Sequence, residues 1–259
     1  MTTIRDILHR GLQKVRRALG LPVVVPDMEY LVPPEMHESL LKRDYSEVGR
    51  IFYSHQGRVI DKWAHYLRVY DQHLNRFRDS EVRVLEIGVS KGGSLELWRK
   101  YFGNRATIFG VDIDPGCASR VDPPNQVRIG SQDNPGFLRS VVTEMGGIDV
   151  VLDDGSHVGR HQVASFKVLY PLLSEGGVYI IEDLHTSYWR GFYQGGIRRR
   201  GTAIEFAKSL IDDIHGWYYR RPDRVPDVAA LHIYDSILVI EKRAAARPSR
   251  VTVAQPAAD

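Results

Sequence analysis

The sequence predicts an α/β fold: a mostly parallel, seven-stranded, Rossmann-like sheet with an antiparallel hairpin at its C-terminal edge. Three observations predict it. Residues 82–114, VRVLEIGVSKGGSLELWRKYFGNRATIFGVDID, read as strand, glycine turn, helix and strand. Further short apolar runs at 127–130, 148–152 and 178–181 are separated by helical patterns, which is the rhythm of βα units. Residues 230–234 and 236–241 form two strand-like runs with only Asp235 between them, a tight antiparallel pairing at one edge.

Within the first unit, Val84, Leu85 and Ile87 form the apolar run that a strand buried on both faces needs. Glu86 interrupts that run, a costly place for a carboxylate without a partner. Gly88, Gly92 and Gly93 let the backbone turn and approach a ligand. Leu95, Leu97, Trp98 and Phe102 carry the helical face, and the second strand, 108–111, ends on Asp112. A carboxylate there can accept bonds from both ribose hydroxyls of a nucleoside. The turn reads E-x-G-x-x-x-G-G and lacks the close first glycine pair of the dinucleotide fingerprint. The turn resembles motif I of class I S-adenosylmethionine methyltransferases, whose cofactor carries an ammonium and a sulfonium and has no pyrophosphate, which an acidic, open turn suits. A dinucleotide and an ordinary ligand-free βαβ unit stay open as alternatives.

The 259 residues suffice for one α/β domain with an N-terminal extension. Hydrophobic content of 43% and charged content of 26% are ordinary for a globular chain, and a net charge of +3 is too small to argue for nucleic acid. A single cysteine, Cys117, excludes an intramolecular disulfide and any multi-cysteine zinc site, and is compatible with a reducing cytoplasm. No apolar run reaches transmembrane length, so no stable membrane insertion is expected. Arg5, Asp6, His9 and Arg10 interrupt any signal-peptide core.

Residues 3–19 have helical periodicity and a basic remainder, which suits packing on the domain or on a second subunit better than a membrane surface. Residues 21–34 read as an arm. Residues 1–50 are therefore expected to be a helix and arm for oligomer or substrate contacts, 51–243 the main domain, and 244–259 a disordered tail. At least a homodimer is expected. Residues 38–78 read as mostly helical, with Trp63, Tyr66, Leu67, Tyr70 and Leu74 at helical spacing. Trp63, Leu67 and Tyr70 are expected to be core. Tyr53, Lys62, His65 and Tyr66 fit a core less well, and polar groups at such a helix edge can close over a cofactor. Ser131, Gln132 and Asp133 follow the third strand, where side chains reach an adenine edge. Asp133 or Asn134 also suits the cap of a helix over 135–145.

The acids stand at strand ends: Asp112 after the second, Asp153 and Asp154 after the fourth, Glu182 and Asp183 after the fifth. Ligands bind outside the carboxyl ends of such a sheet. Packed carboxylates stay ionised together only beside a cation, and an all-oxygen set suits a hard ion, magnesium first, then manganese or calcium. Helix capping is the alternative for any one of them. His157, three residues after Asp154, suits a general base, and equally a helix-start residue bonded to a carboxylate. His185 is a second candidate. The aromatic, glycine-rich loop TSYWRGFYQGGIRRRG follows. Tyr188, Trp189, Phe192 and Tyr193 in it can form a platform and lid over a ligand, with plain packing as the alternative for at least two of them.

Four motifs, V-L-E-I-G-V, G-V-D-I-D, D-D-G-S-H and I-I-E-D-L-H-T-S-Y-W, together resemble the metal-dependent sugar O-methyltransferases. These are class I S-adenosylmethionine (SAM) methyltransferases that act on macrolide deoxysugars and actinobacterial glycans, and they include cephalosporin hydroxylase-like sequences. The resemblance covers roughly residues 53–242. It implies SAM and Mg2+ as cofactors, a saccharide acceptor, metal ligands Asp154, Glu182 and Asp183, and His157 as base. It further implies the SAM methionine end near Glu86, Gly88 and Asp153, with Ser94 also cofactor-binding, the ribose on Asp112, and the adenine near Gln132 and Asp133. Lys62 to Tyr66 is similar to a segment that covers the cofactor, and His185, Tyr188, Trp189 and Tyr193 fall to the substrate. A catechol-type methyltransferase, a nucleotide-binding hydroxylase or oxidoreductase, and a non-catalytic subunit stay open.

Overall fold

The structure is a computed structural model that describes residues 36–219, 227–244 and 246–253. The helix expected at 3–19 and the arm at 21–34 lie outside the described residues. Seven strands form one sheet: β1 (Arg83–Ile87), β2 (Thr107–Asp112), β3 (Gln126–Ile129), β4 (Ile148–Asp153), β5 (Leu173–Ile181), β6 (Val228–Ile233) and β7 (Leu238–Lys242). Their order is β3-β2-β1-β4-β5-β7-β6. The first five are parallel; β7 runs antiparallel to both β5 and β6. The helices among the described residues are α1 (His37–Arg43), α2 (Glu47–Tyr53), α3 (Tyr66–Leu74), α4 (Gly93–Phe102), α5 (Pro135–Met145), α6 (Gly159–Leu169) and α7 (Ala203–Ile214).

Successive strand residues point to opposite faces, so each inner strand feeds two cores. Val84, Ile108, Val150, Leu152, Ile180 and Val239 join Tyr70, Leu74, Trp98 and Phe102 of α3 and α4. Leu85, Ile87, Phe109, Val151, Ile181 and Ile240 join Leu138, Phe166, Leu169 and Leu210 of α5, α6 and α7. Covered on both faces, these strands read as unbroken apolar runs. Trp98 is fully buried, and truncating it to alanine is expected to cost about 3–5 kcal/mol.

Register matters most for the site. Ile87 pairs with Val111 on one side and Asp153 on the other, and Asp153 pairs with Ile181. The segments that leave β1, β2, β4 and β5 therefore emerge side by side on one edge.

The structure departs from the sequence expectations at three places. The helical stretch over 38–78 breaks into α1, α2 and α3. Ser46 stops the first break, its hydroxyl accepting from Gly49 N and starting α2 as an N-cap. Residues 54–65 form a non-helical arm drawn across α4, so close that a Cβ on Gly93 would meet Arg58 O at 2.3 Å. The turn expected at 175–177 is an irregular part of β5, with a register shift against β4 between Ile148 and Val150. The hairpin turn spans 234–237 and not Asp235 alone. Tyr234 N donates to Ile237 O at 3.0 Å, with Ser236 at φ 64, because reversing the chain needs two central residues.

Candidate active site

The loop after β1 lies against the loop after β4. Gly88 has φ 95, and a Cβ there would meet Asp154 O at 2.0 Å, so this approach requires glycine. Asp112, at the end of β2, accepts from Val89 N at 2.9 Å, Ser90 N at 3.0 Å and Asp114 N at 2.9 Å. Burial pushes its carboxyl up, but these backbone bonds outweigh that and hold it below its ordinary value.

Lys62 comes from the arm. Its side chain is 2% exposed, and its ammonium bonds Asp154 Oδ2 and both Glu182 oxygens, the latter at 3.1 and 3.0 Å; Glu86 lies 4.0 Å away. Burial works against that charge, yet Asp154, Glu182 and Glu86 raise the lysine well above its ordinary value. Burial and Asp154 push Glu182 well up, against Lys62. Burial likewise raises Asp154, against Lys62 and His157. Asp183 Oδ1 accepts from Trp63 Nε1 at 3.1 Å and lies 3.0 Å from the Tyr66 hydroxyl. His157 Nε2 lies 3.5 Å from Asp183 Oδ2 and 3.8 Å from Asp154 Oδ1, while its Nδ1 is buried without a hydrogen-bond partner.

Three carboxylates, Glu86, Asp154 and Glu182, thus share one ammonium, with Asp183 beside them, a set that is short of positive charge. Asp154, His157 and Asp183 each offer a ligand atom, all within 4.8 Å of one another. Oxygen-rich donors and an orphaned imidazole nitrogen fit a divalent cation. Of the acids expected as ligands, Glu182 has both oxygens on the lysine and Asp154 has one, while His157 joins Asp154 and Asp183 in the cluster.

A cleft of about 1220 Å³ opens over this edge. It is lined by Lys62, Gly88, Ser94, Asp112, Gln132, Asp154, His157, Glu182 and Asp183, all expected at the site. Other expected residues stand behind its wall. Glu86 is fully buried, accepting from Ser94 Oγ at 2.6 Å and Trp98 Nε1 at 2.9 Å. Burial pushes its carboxyl up to about 7, against Lys62, Ser94 and Trp98. Asp153 is fully buried too, bonded to Ser165 Oγ, to Gln132 Nε2 at 3.1 Å and to the Tyr179 hydroxyl at 3.2 Å. Gln132 in turn accepts from Ser156 N at 2.7 Å. Tyr66 is fully buried behind Asp183. Asp133 pairs with Ser131 and faces His161 at 3.7 Å, leaving the α5 cap to Asn134.

From the loop after β5, Phe192 lines the cleft. His185, Trp189 and Tyr193 form a string of ring contacts starting from Trp63, at centroid distances of 5.4, 4.7 and 5.6 Å, and Tyr188 is 46% exposed. Residues 59–61, Ser156 and His161 also line the cleft, and sequence reasoning missed them. The arm has no periodicity to reveal it. Trp63, expected in the core of a helix, precedes α3 and bonds Asp183.

The sheet order, the glycine turn and the acid-ended strands define a Rossmann-like α/β methyltransferase fold. Residues 85–184 match the family described as "Methyltransferase domain". The chain is 38% identical over 212 residues to the 8-demethyl-8-(2-methoxy-alpha-L-rhamnosyl)-tetracenomycin-C 3'-O-methyltransferase of Streptomyces olivaceus, covering 76% of this chain and 54% of that one. It is 41% identical over 207 residues to the L-olivosyl-oleandolide 3-O-methyltransferase of Streptomyces antibioticus, covering 71% and 52%. A solved structure of the MycE methyltransferase from the mycinamycin biosynthetic pathway, in complex with Mg, SAH and mycinamycin VI, matches with a TM-score of 0.66 and 33% identity, covering 77% of this chain and 53% of that one. The chain spans about half the length of these relatives. Among the described residues, no helix is long and apolar enough to cross a membrane.

Proposed function

We propose that this chain is a SAM-dependent, divalent-metal-dependent O-methyltransferase acting on a sugar hydroxyl of a glycan or glycosylated natural product. The observation that carries this reading is the convergence of Asp154, His157 and Asp183 beside a cleft large enough for a cofactor and an acceptor together. The names of two relatives, O-methyltransferases of a rhamnosyl-tetracenomycin and of an olivosyl-oleandolide, support the acceptor class.

Asp154 and Asp183, with Glu182 beside them, would hold Mg2+, whose charge would make a neighbouring hydroxyl more acidic, and SAM when bound would supply the methyl group. Asp112 receives the ribose hydroxyls with the acceptor capacity its backbone bonds leave over. Ser94 and Gly88 border the methionine end. Gln132 borders the adenine, with Asp133 next to it. Glu86 and Asp153 act from behind the wall: Glu86 fixes Ser94, and Asp153 fixes Gln132. Lys62 and Tyr66 hold the acids, Lys62 as a tethered cation beside Glu182 and Tyr66 through Asp183. His157 takes the hydroxyl proton at Nε2, which lies 3.5 Å from Asp183 Oδ2 and 3.8 Å from Asp154 Oδ1. The Trp63–His185–Trp189–Tyr193 ring string backs a lid on which Phe192 and Tyr188 meet the sugar.

We take residues 51–243 as the methyltransferase domain, in the cytoplasm, and residues 1–50 as contacts to a second copy or to the substrate. A light-scattering mass of one chain would remove the dimer. S-adenosylhomocysteine release from SAM, with rhamnosides, mannosides, glucosides and catechols, in Mg2+ and then in excess EDTA, tests the function. Turnover on a sugar that EDTA abolishes is expected. Turnover on catechols alone would overturn the acceptor class, and turnover indifferent to EDTA would overturn the metal.

A further inference from the structure

The antiparallel edge carries a second set of metal-ligating side chains, outside the cleft. Strand pairing sets Ala230 opposite Glu241 and His232 opposite Val239. His232 and Glu241 therefore stand on one face of the hairpin. Val239, on the same face, packs with Leu74 of α3, so α3 covers it. His73, the residue before Leu74, is 7% exposed and its ring centroid lies 4.4 Å from that of His232. Glu241 Oε1 is 2.9 Å from His232 Nε2 and 3.7 Å from His73 Nδ1.

We propose that His73, His232 and Glu241 form a zinc-class metal site that clamps the end of α3 to the C-terminal hairpin. One ligand atom from each residue lies within 4.8 Å of the other two. Ligand atoms around a tetrahedral ion with bonds of about 2.0–2.1 Å stand about 3.4 Å apart, and the two distances to Glu241 bracket that value. Two imidazoles and one carboxylate select a borderline ion such as Zn2+ over Mg2+. The second ring nitrogen of His73, Nε2, lies 2.9 Å from the Tyr234 hydroxyl. With Nε2–H donating to that oxygen, Nδ1 presents its lone pair, the outer partner that metal-bound histidines use. The side chains of His232 and Glu241 are 34% and 29% exposed, which gives water access to a fourth position.

The place of this clamp gives it a consequence. At the other end of α3, the Tyr66 hydroxyl lies 3.0 Å from Ser236 O, and His65 Nε2 lies 2.9 Å from Asp235 O. The helix that carries Tyr66 to Asp183 is thus held to the hairpin at both ends, and the ion secures the end away from the cleft.

The test uses the full chain with Mg2+ in large excess, titrated with Zn2+ by calorimetry and with Co2+ by visible absorption. We expect one Zn2+ equivalent that Mg2+ does not displace, the strong visible bands of four-coordinate Co2+, and a higher Tm with Zn2+. His232→Ala and Glu241→Gln alter part-exposed side chains, and their metal-free Tm serves as the folding control. Each is expected to lose at least 100-fold in Zn2+ affinity, and Tyr234→Phe about 10-fold. Absence of Zn2+ binding in the wild type would overturn the site. Equal Zn2+ binding by wild type and His232→Ala would assign the ion to the cluster around His157 and overturn it as well.

Discussion

His157 and Asp183 face each other with Nε2 and Oδ2 3.5 Å apart, and both hold left-handed backbones, at φ 55 and φ 56. Such conformations cost of order 1–3 kcal/mol in residues other than glycine and persist where the surroundings impose them. One residue touches both. Thr186 Oγ1 lies 2.9 Å from His157 O and 2.8 Å from Asp183 O, within donating reach of both carbonyls. His157→Gly relieves strain while freeing the unfolded chain, so stability is expected to stay within about 1 kcal/mol of wild type. Methyl transfer is expected to fall about 10²–10⁴-fold. Thr186→Val is expected to lower kcat with the KM for SAM unchanged. Denaturant melts beside turnover assays check both, and an active His157→Gly enzyme would remove the base.

Lys62→Met leaves buried carboxylates without their ammonium. Removing one partner of a buried ion pair costs about 3–5 kcal/mol, and a comparable loss is expected in EDTA. Mg2+ should recover a larger share of stability in the variant than it adds to the wild type, because the acids then have no other cation. Thermal melts at several Mg2+ concentrations decide this. Identical Mg2+ shifts in the two proteins would mean that the acids do not hold the ion.

Gly88→Ala places a Cβ 2.0 Å from Asp154 O at φ 95. The loops after β1 and β4 must then part. We expect a loss of about 2 kcal/mol or more and a SAM affinity reduced at least 10-fold, read by calorimetry with S-adenosylhomocysteine. Unchanged affinity would show that this junction does not border the cofactor.

Glu86 makes stability depend on pH. Its folded pKa of about 7 lies above the ordinary 4.5, so the folded state binds the proton more tightly. The stability it contributes is complete below pH 4.5 and is lost as pH rises through about 7. Glu86→Gln cannot ionise. Relative to that variant, wild type should lose on the order of 3 kcal/mol between these limits. Parallel stability profiles for the two proteins would contradict a protonated Glu86.

Strand positions were legible because burial on both faces demands unbroken apolar runs, as at 148–152 and 178–181. The acids after β2, β4 and β5 were legible because an acid at a strand end has few purely structural reasons to recur. The arm over 54–65 was not. Lys62 and Trp63 lie outside any periodic pattern, and their partners Glu182 and Asp183 are 120 residues away. Nor was the distinction between Asp154, which lines the cleft, and Asp153, sealed behind it. In a strand that ends at Asp153, one residue decides the face.

By itself the sequence determined the sheet, its edge hairpin, the glycine turn and the set of acids, since these follow from local periodicity and turn chemistry. Tertiary structure alone decided which acids meet. Register sets the ends of β1, β4 and β5 level, and the arm then delivers one ammonium among three carboxylates. It also decided that His73, distant in sequence, faces His232 and Glu241. Contacts made across the sheet depend on packing that no local pattern encodes.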